Sequence, residues 1–102
     1  MDNDKVNFPR LSPKETLILE MLVASARESF GLEMVEASEG KLKRGTVYVT
    51  LKRMEDKGLI SSRTEVRPPG EIGIPRRLYK ITGQGERVLA GMKAAQAIVL
   101  AV

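Results

Sequence analysis

Lys41, Lys43 and Arg44 stand just ahead of Thr46, Val49, Lys52 and Arg53 in the stretch KLKRGTVYVTLKRMEDKGLI, residues 41–60. Read as a helix over 43–57, this stretch sets cations where the macrodipole already carries partial positive charge. Each such cation costs a few tenths to about 1 kcal/mol when nothing negative is near. Together with the helix amides, the same cations make a concentrated phosphate site. With Val47, Leu51 and Met54 turned inward, the opposite face presents Gly45, Thr46, Val49, Lys52, Arg53 and Asp56. Thr46 can hydrogen-bond a phosphate or a base edge, Val49 can touch a thymine methyl, and Arg53 can reach guanine or phosphate. Lys43, Arg44 and Lys52 suit phosphates, and Gly45 permits close backbone approach.

Other chemistry is poorly supplied. The chain has no Cys and no His, which removes thiol nucleophiles, disulfides, imidazole bases and the usual zinc ligands. Its carboxylates and tyrosines are dispersed, with no convergent acid–base pair. The expectation is a protein that is not an enzyme, with no cofactor and no metal site. Charge is segregated: residues 41–80 hold eleven Lys or Arg against four Asp or Glu, while the rest of the chain holds six against nine. Any one basic run is commonly a solvated face. Cations at a helix start beside further cations on a hairpin favour a polyanion as partner.

The elements that must position these residues can be followed along the chain. Ser12, Pro13 and Glu15 form a capping box with proline at the first helical position. Leu17, Ile18, Met21, Leu22 and Ala24 continue at helical spacing as a stripe to be buried. The chain turns at Phe30-Gly31, and LEMVEAS makes a short helix stopped by Gly40, with Leu32, Val35 and Met34 inward. After the helix at 43–57, ended by Gly58, LISSRTEV and RRLYKI form a hairpin around the tip RPPGEIGIP, whose prolines and glycines exclude helix. Arg63, Arg67, Arg76 and Arg77 lie on that hairpin, positioned for a backbone or a narrow minor groove, with Glu65 and Glu71 as competing partners. Thr82 caps a final helix.

The fold class implied is α+β, mostly helical: a winged helix-turn-helix with a C-terminal helix. Residues 1–11 are expected as a flexible arm, 12–81 as the DNA-binding domain and 82–102 as a dimerisation helix. On that last helix Val88, Met92, Ala95, Val99 and Val102 recur at spacings of four, three, four and three, a heptad-like seam. A homodimer follows, suited to a palindromic site on double-stranded DNA. The polar N-terminal residues and the absence of a long apolar run imply a cytoplasmic protein with no membrane partner.

In FGLEM (30–34), LKRGTVYVTLKRMEDKGLISS (42–62) and PRRLYKITGQGE (75–86) the chain resembles the PadR family of transcriptional regulators. The resemblance implies a dimeric winged-helix repressor of the smaller type, and places Tyr48 near the start of the reading helix among its DNA-contacting residues; packing against the wing is its plainer role, and the two are compatible. Two positions depart from the pattern. Lys43 replaces a small polar cap, and Ile72 and Ile74 occupy a wing tip where polar or basic residues are more usual. Some relatives hold a small aromatic effector between their terminal helices. This terminal helix has no aromatic side chain, so an effector is unsupported and no residue is assigned to one. A rival reading, an architectural or protein-interaction module without operator specificity, takes its support from the same apolar tip.

Overall fold

In the computed structural model the described residues are 10–101, with side chains described through Ile98. Helix α1, Pro13–Ser25, starts as its residues dictate. The Glu15 amide donates to Ser12 Oγ at 3.1 Å, and Glu15 Oε1 accepts from the Ser12 amide at 2.9 Å. A two-residue strand β1, Ser29–Phe30, precedes α2, Gly31–Ala37. Helix α3 spans Val47–Asp56, strands β2 and β3 span Ile60–Thr64 and Arg77–Ile81, and α4 runs Gly83–Ala101.

The sheet is antiparallel with order β1-β3-β2. Ser62 lies opposite Tyr79, and Tyr79 in turn lies opposite Ser29. Phe30 therefore belongs to a strand where a turn was expected. Its partner, Leu78, lies far along the chain, so no local signal marks the pairing. Ile18, Leu19 and Leu22 of α1 meet Met34, Val47, Leu51, Met54, Leu59, Ile60, Tyr79, Val88 and Leu89 in one aliphatic core. The expected α1 stripe is displaced: Leu19 is buried, whereas Ala24 is exposed. The cause is that α1 packs against α3, β3 and α4 at once, which buries a wider arc than one face.

Three further corrections bear on the site. The reading helix begins at Val47, because Lys43–Thr46 form a turn in which the Thr46 and Val47 amides both donate to the Lys43 carbonyl, at 3.2 and 2.9 Å. Of the arm expected over 1–11, residues 1–9 lie outside the described residues, while Leu11 packs against the core. On α4, Val88 is buried in the chain's own core and Met92 is half-buried there, within 3.8 Å of Thr16 Oγ1. Both were expected on the dimer seam. From Ala94 to Ile98 the helix is exposed; Val99 side-chain placement and Val102 lie outside what is described. Among the described residues no helix is long and apolar enough to cross a membrane.

The start of α4 is fixed against the end of α3. Thr82 Oγ1 donates to the Gly58 carbonyl at 2.7 Å and accepts from the Gly85 amide at 3.0 Å. Gly85 is buried, with the Leu59 carbonyl against its Cα, so that any β-carbon there would collide with backbone.

Candidate nucleic-acid interface

Helix α3 buries Val47, Leu51 and Met54 and turns Tyr48, Val49, Lys52 and Arg53 outward, as its spacing requires. Val49 is 60% exposed, a large apolar side chain left to water in the middle of a polar face. The turn before it exposes Lys43, Arg44, Gly45 and Thr46, and nothing lies within 4 Å of where a Gly45 β-carbon would stand. Thr46 occupies the N-cap position, but its side chain makes no capping hydrogen bond. Its hydroxyl makes no hydrogen bond among the described residues, on the exposed turn that also carries Lys43 and Arg44.

Tyr48 is seated against the start of α2. Its ring lies over Gly31 at the start of α2, where a β-carbon would come within 2.7 Å of it. Only a glycine at position 31 leaves that place for the ring. Tyr48 remains about half exposed, so one edge still belongs to the outer face.

The ion pairs sort the cations. Arg63 grips Glu28 through two hydrogen bonds of 2.7 and 2.6 Å. Arg67, 23% exposed, reaches Glu65 at 2.9 Å and Glu71 at 3.6 Å, and donates to the Ile72 carbonyl at 3.3 Å. Arg76 donates to Glu65 from both its amide and its guanidinium, which lies 4.3 Å above the Phe30 ring. These bonds, the Arg76 side chain first and its amide next, hold the Glu65 carboxyl down at about 2. Lys57 is committed to Glu15, which is almost wholly buried, at 2.9 Å. Burial by itself raises the Glu15 carboxyl, but the Ser12 amide and Lys57 outweigh it and the net shift is downward.

Lys43, Arg44, Arg53 and Arg77, with Lys41 beside them, make no ion pair among the described residues. Arg77 bonds only hydroxyls: it donates to Ser62 Oγ at 3.1 Å and to Thr64 Oγ1 at 3.0 Å. Ser62 in turn donates to Glu55 of α3 at 2.7 Å. Lys52 lies near enough to feel the charge of Arg77, although its own partner Asp56, at 3.0 Å, dominates and raises its pKa. Ser62 thus ties the base of the hairpin to α3, and Arg77 stands near Lys52. The four hairpin arginines are alike in the sequence; among the described residues the fold leaves only Arg77 of them without a carboxylate partner.

Helices α1 to α3 closed by the β2–β3 hairpin make a winged helix-turn-helix, with α3 and the preceding turn as its exposed basic element. The model of the Transcriptional regulator PadR-like family matches residues 18–91, and the chain belongs to that family. A PadR family transcription regulator from Clostridium difficile R20291 is 30% identical, with a TM-score of 0.67 over 82% of this chain and 86% of that one. A PadR family regulator from Eggerthella lenta DSM 2243 is 26% identical, with a TM-score of 0.66 over 85% and 77%. The fold is also shared with Bacillus subtilis PadR, solved in complex with operator DNA: identity is 22% and TM-score 0.65, over 76% of this chain and 44% of that one. Curated protein sequences yield no match to the chain.

Proposed function

We propose that this protein is a sequence-specific double-stranded DNA-binding repressor that acts as a homodimer. The observation that carries the reading is the distribution of unpaired cations. Among the described residues Lys43, Arg44 and Arg53 on and before α3, and Arg77 beside it, make no ion pair with a carboxylate, while Arg63, Arg67 and Arg76 of the wing are each paired with one. Duplex DNA supplies the missing negative charge. In this arrangement α3 enters a major groove, with Thr46, Val49 and Arg53 toward base edges and Tyr48 at the rim. Lys43, Arg44, Lys52 and Arg77 meet phosphates while Gly45 admits the backbone close to the strand. Arg67 and Arg76 hold the wing in shape, and any contact of theirs with phosphate is secondary to that. The complex of Bacillus subtilis PadR with operator DNA supports duplex DNA as the partner. The exposed outer turns of α4 support pairing of two copies, which sets two α3 helices about 34 Å apart on a palindromic site. Such a dimer represses by occupying its duplex.

The test is selection of duplex from a random pool, followed by binding of the recovered sequence and of a scrambled one at stated salt. Arg53→Ala and Thr46→Ala should each lose about 1–3 kcal/mol of discrimination between the two. Recovery of no preferred sequence, or equal losses on both duplexes, overturns the reading.

A further inference from the structure

We infer that the wing tip is an apolar wedge for the DNA minor groove, with Ile72 and Ile74 opening a base step and bending the duplex. The inference rests on the proposed DNA-binding function and assigns a role that the basic face does not need.

Val66, Ile72 and Ile74 are 87%, 94% and 87% exposed. They lie beyond the last ladder bond of the hairpin, from the Glu65 amide to the Arg76 carbonyl at 2.8 Å. A slack loop could fold such side chains back onto its own surface. This tip is tied down. Arg67 bridges Glu65, Glu71 and the Ile72 carbonyl, the Glu71 amide donates to the Pro68 carbonyl at 3.3 Å, and Gly70 and Gly73 take the positive φ of 89° and 113° that the turns require. The result inverts ordinary loop chemistry: charges are satisfied inside the tip and β-branched hydrocarbon faces water. Apolar groups presented this way mark a contact surface.

Position and reach select DNA as the occupant. Arg77, at the base of the wing, lies on the same surface as Lys52 of α3. From Arg77 to Ile72 the chain advances five residues, a span of up to about 16 Å at strand rise. Half a helical turn of duplex is about 17 Å, so with α3 in a major groove the tip falls at the neighbouring minor groove. A tip whose arginine is neutralised has little to offer phosphates there. It can instead insert branched aliphatic side chains between base pairs, as minor-groove wedges do, most easily at flexible pyrimidine–purine steps.

The experiment compares the wild-type chain, an Ile72→Ser/Ile74→Ser variant and Arg53→Ala on the selected duplex, labelled at both ends for energy transfer. Both isoleucines are exposed, so the double variant keeps the fold. Wild type should bend the duplex by at least about 20°. The double variant should lose that bend and about tenfold in affinity while keeping its preference for the selected sequence over a scrambled one. A straight wild-type complex, or a double variant that binds and bends like wild type, overturns the wedge while leaving the function of α3 intact. If Arg53→Ala alters nothing and no sequence preference exists, the DNA-reading function fails and the wedge fails with it.

Discussion

Gly85→Ala tests how closely the reading head and the terminal helix are joined. In an unobstructed helix the substitution is favourable by about 1 kcal/mol, because alanine is the better helix former. Here the new β-carbon would meet the Leu59 carbonyl and lie 2.8 Å from Ile81 Cγ1. Leu59 cannot retreat freely: it is fully buried, its amide donates to the Met54 carbonyl at 3.0 Å, and its carbonyl accepts from the Thr82 amide at 3.1 Å. Overpacking of this kind costs about 1–3 kcal/mol, and weakening the Thr82 bond adds about 1 kcal/mol. Set against the helix gain, the net loss is about 1–3 kcal/mol. For a domain of this size each kcal/mol moves the midpoint by about 4–8 °C, so Tm should fall by at least about 4 °C. The assay is thermal unfolding followed by circular dichroism at one fixed protein concentration, since the Tm of a protein that pairs as proposed depends on concentration. A Gly85→Ala protein that melts with the wild type, or above it, would show that α4 does not cross Leu59 closely. The reasoning from backbone contact would then fail.

Lys43→Ala should weaken binding to all duplexes alike and reduce the slope of log K against log salt by about one unit; an unchanged slope means Lys43 faces only water. Glu15→Gln keeps the capping geometry but removes the charge that Lys57 pairs with. The folded carboxyl lies below its ordinary 4.5, so its contribution is present above pH 4.5 and is lost as pH falls through the lower folded value. Wild type should therefore exceed the variant in denaturant midpoint near neutrality, with the gap closing on acidification; a gap constant with pH contradicts the ion pair. Ala95→Lys, on the exposed part of α4, should convert a dimer at tens of micromolar to monomer in sedimentation without lowering helix content, and a variant that stays dimeric places the seam elsewhere.

Whatever depends on neighbours three or four residues apart is determined by the sequence alone. Ser12 and Glu15 cap α1 because both partners lie within one turn, and Val47, Leu51 and Met54 share a buried face because helical spacing puts them there. The exposed face of α3 follows from that burial, so spacing is enough to mark Val49, Lys52 and Arg53 as candidates. Packing between elements decides matters among residues far apart in the chain. Phe30 becomes strand only because Leu78 arrives beside it, and Lys57 becomes a structural cation only because it meets a buried Glu15. Val88 leaves the outer seam because α4 lies along α1. The hairpin arginines show the division most plainly. Arg63, Arg67, Arg76 and Arg77 are equal in sequence, each a cation on a β-hairpin. Glu28 claims the first, Glu65 and Glu71 claim the next two, and among the described residues Arg77 bonds serine and threonine hydroxyls and no carboxylate. Charge can be counted along a chain, but whether it is neutralised depends on distances of about 3 Å set by packing between elements, and those distances single out Arg77 beside α3.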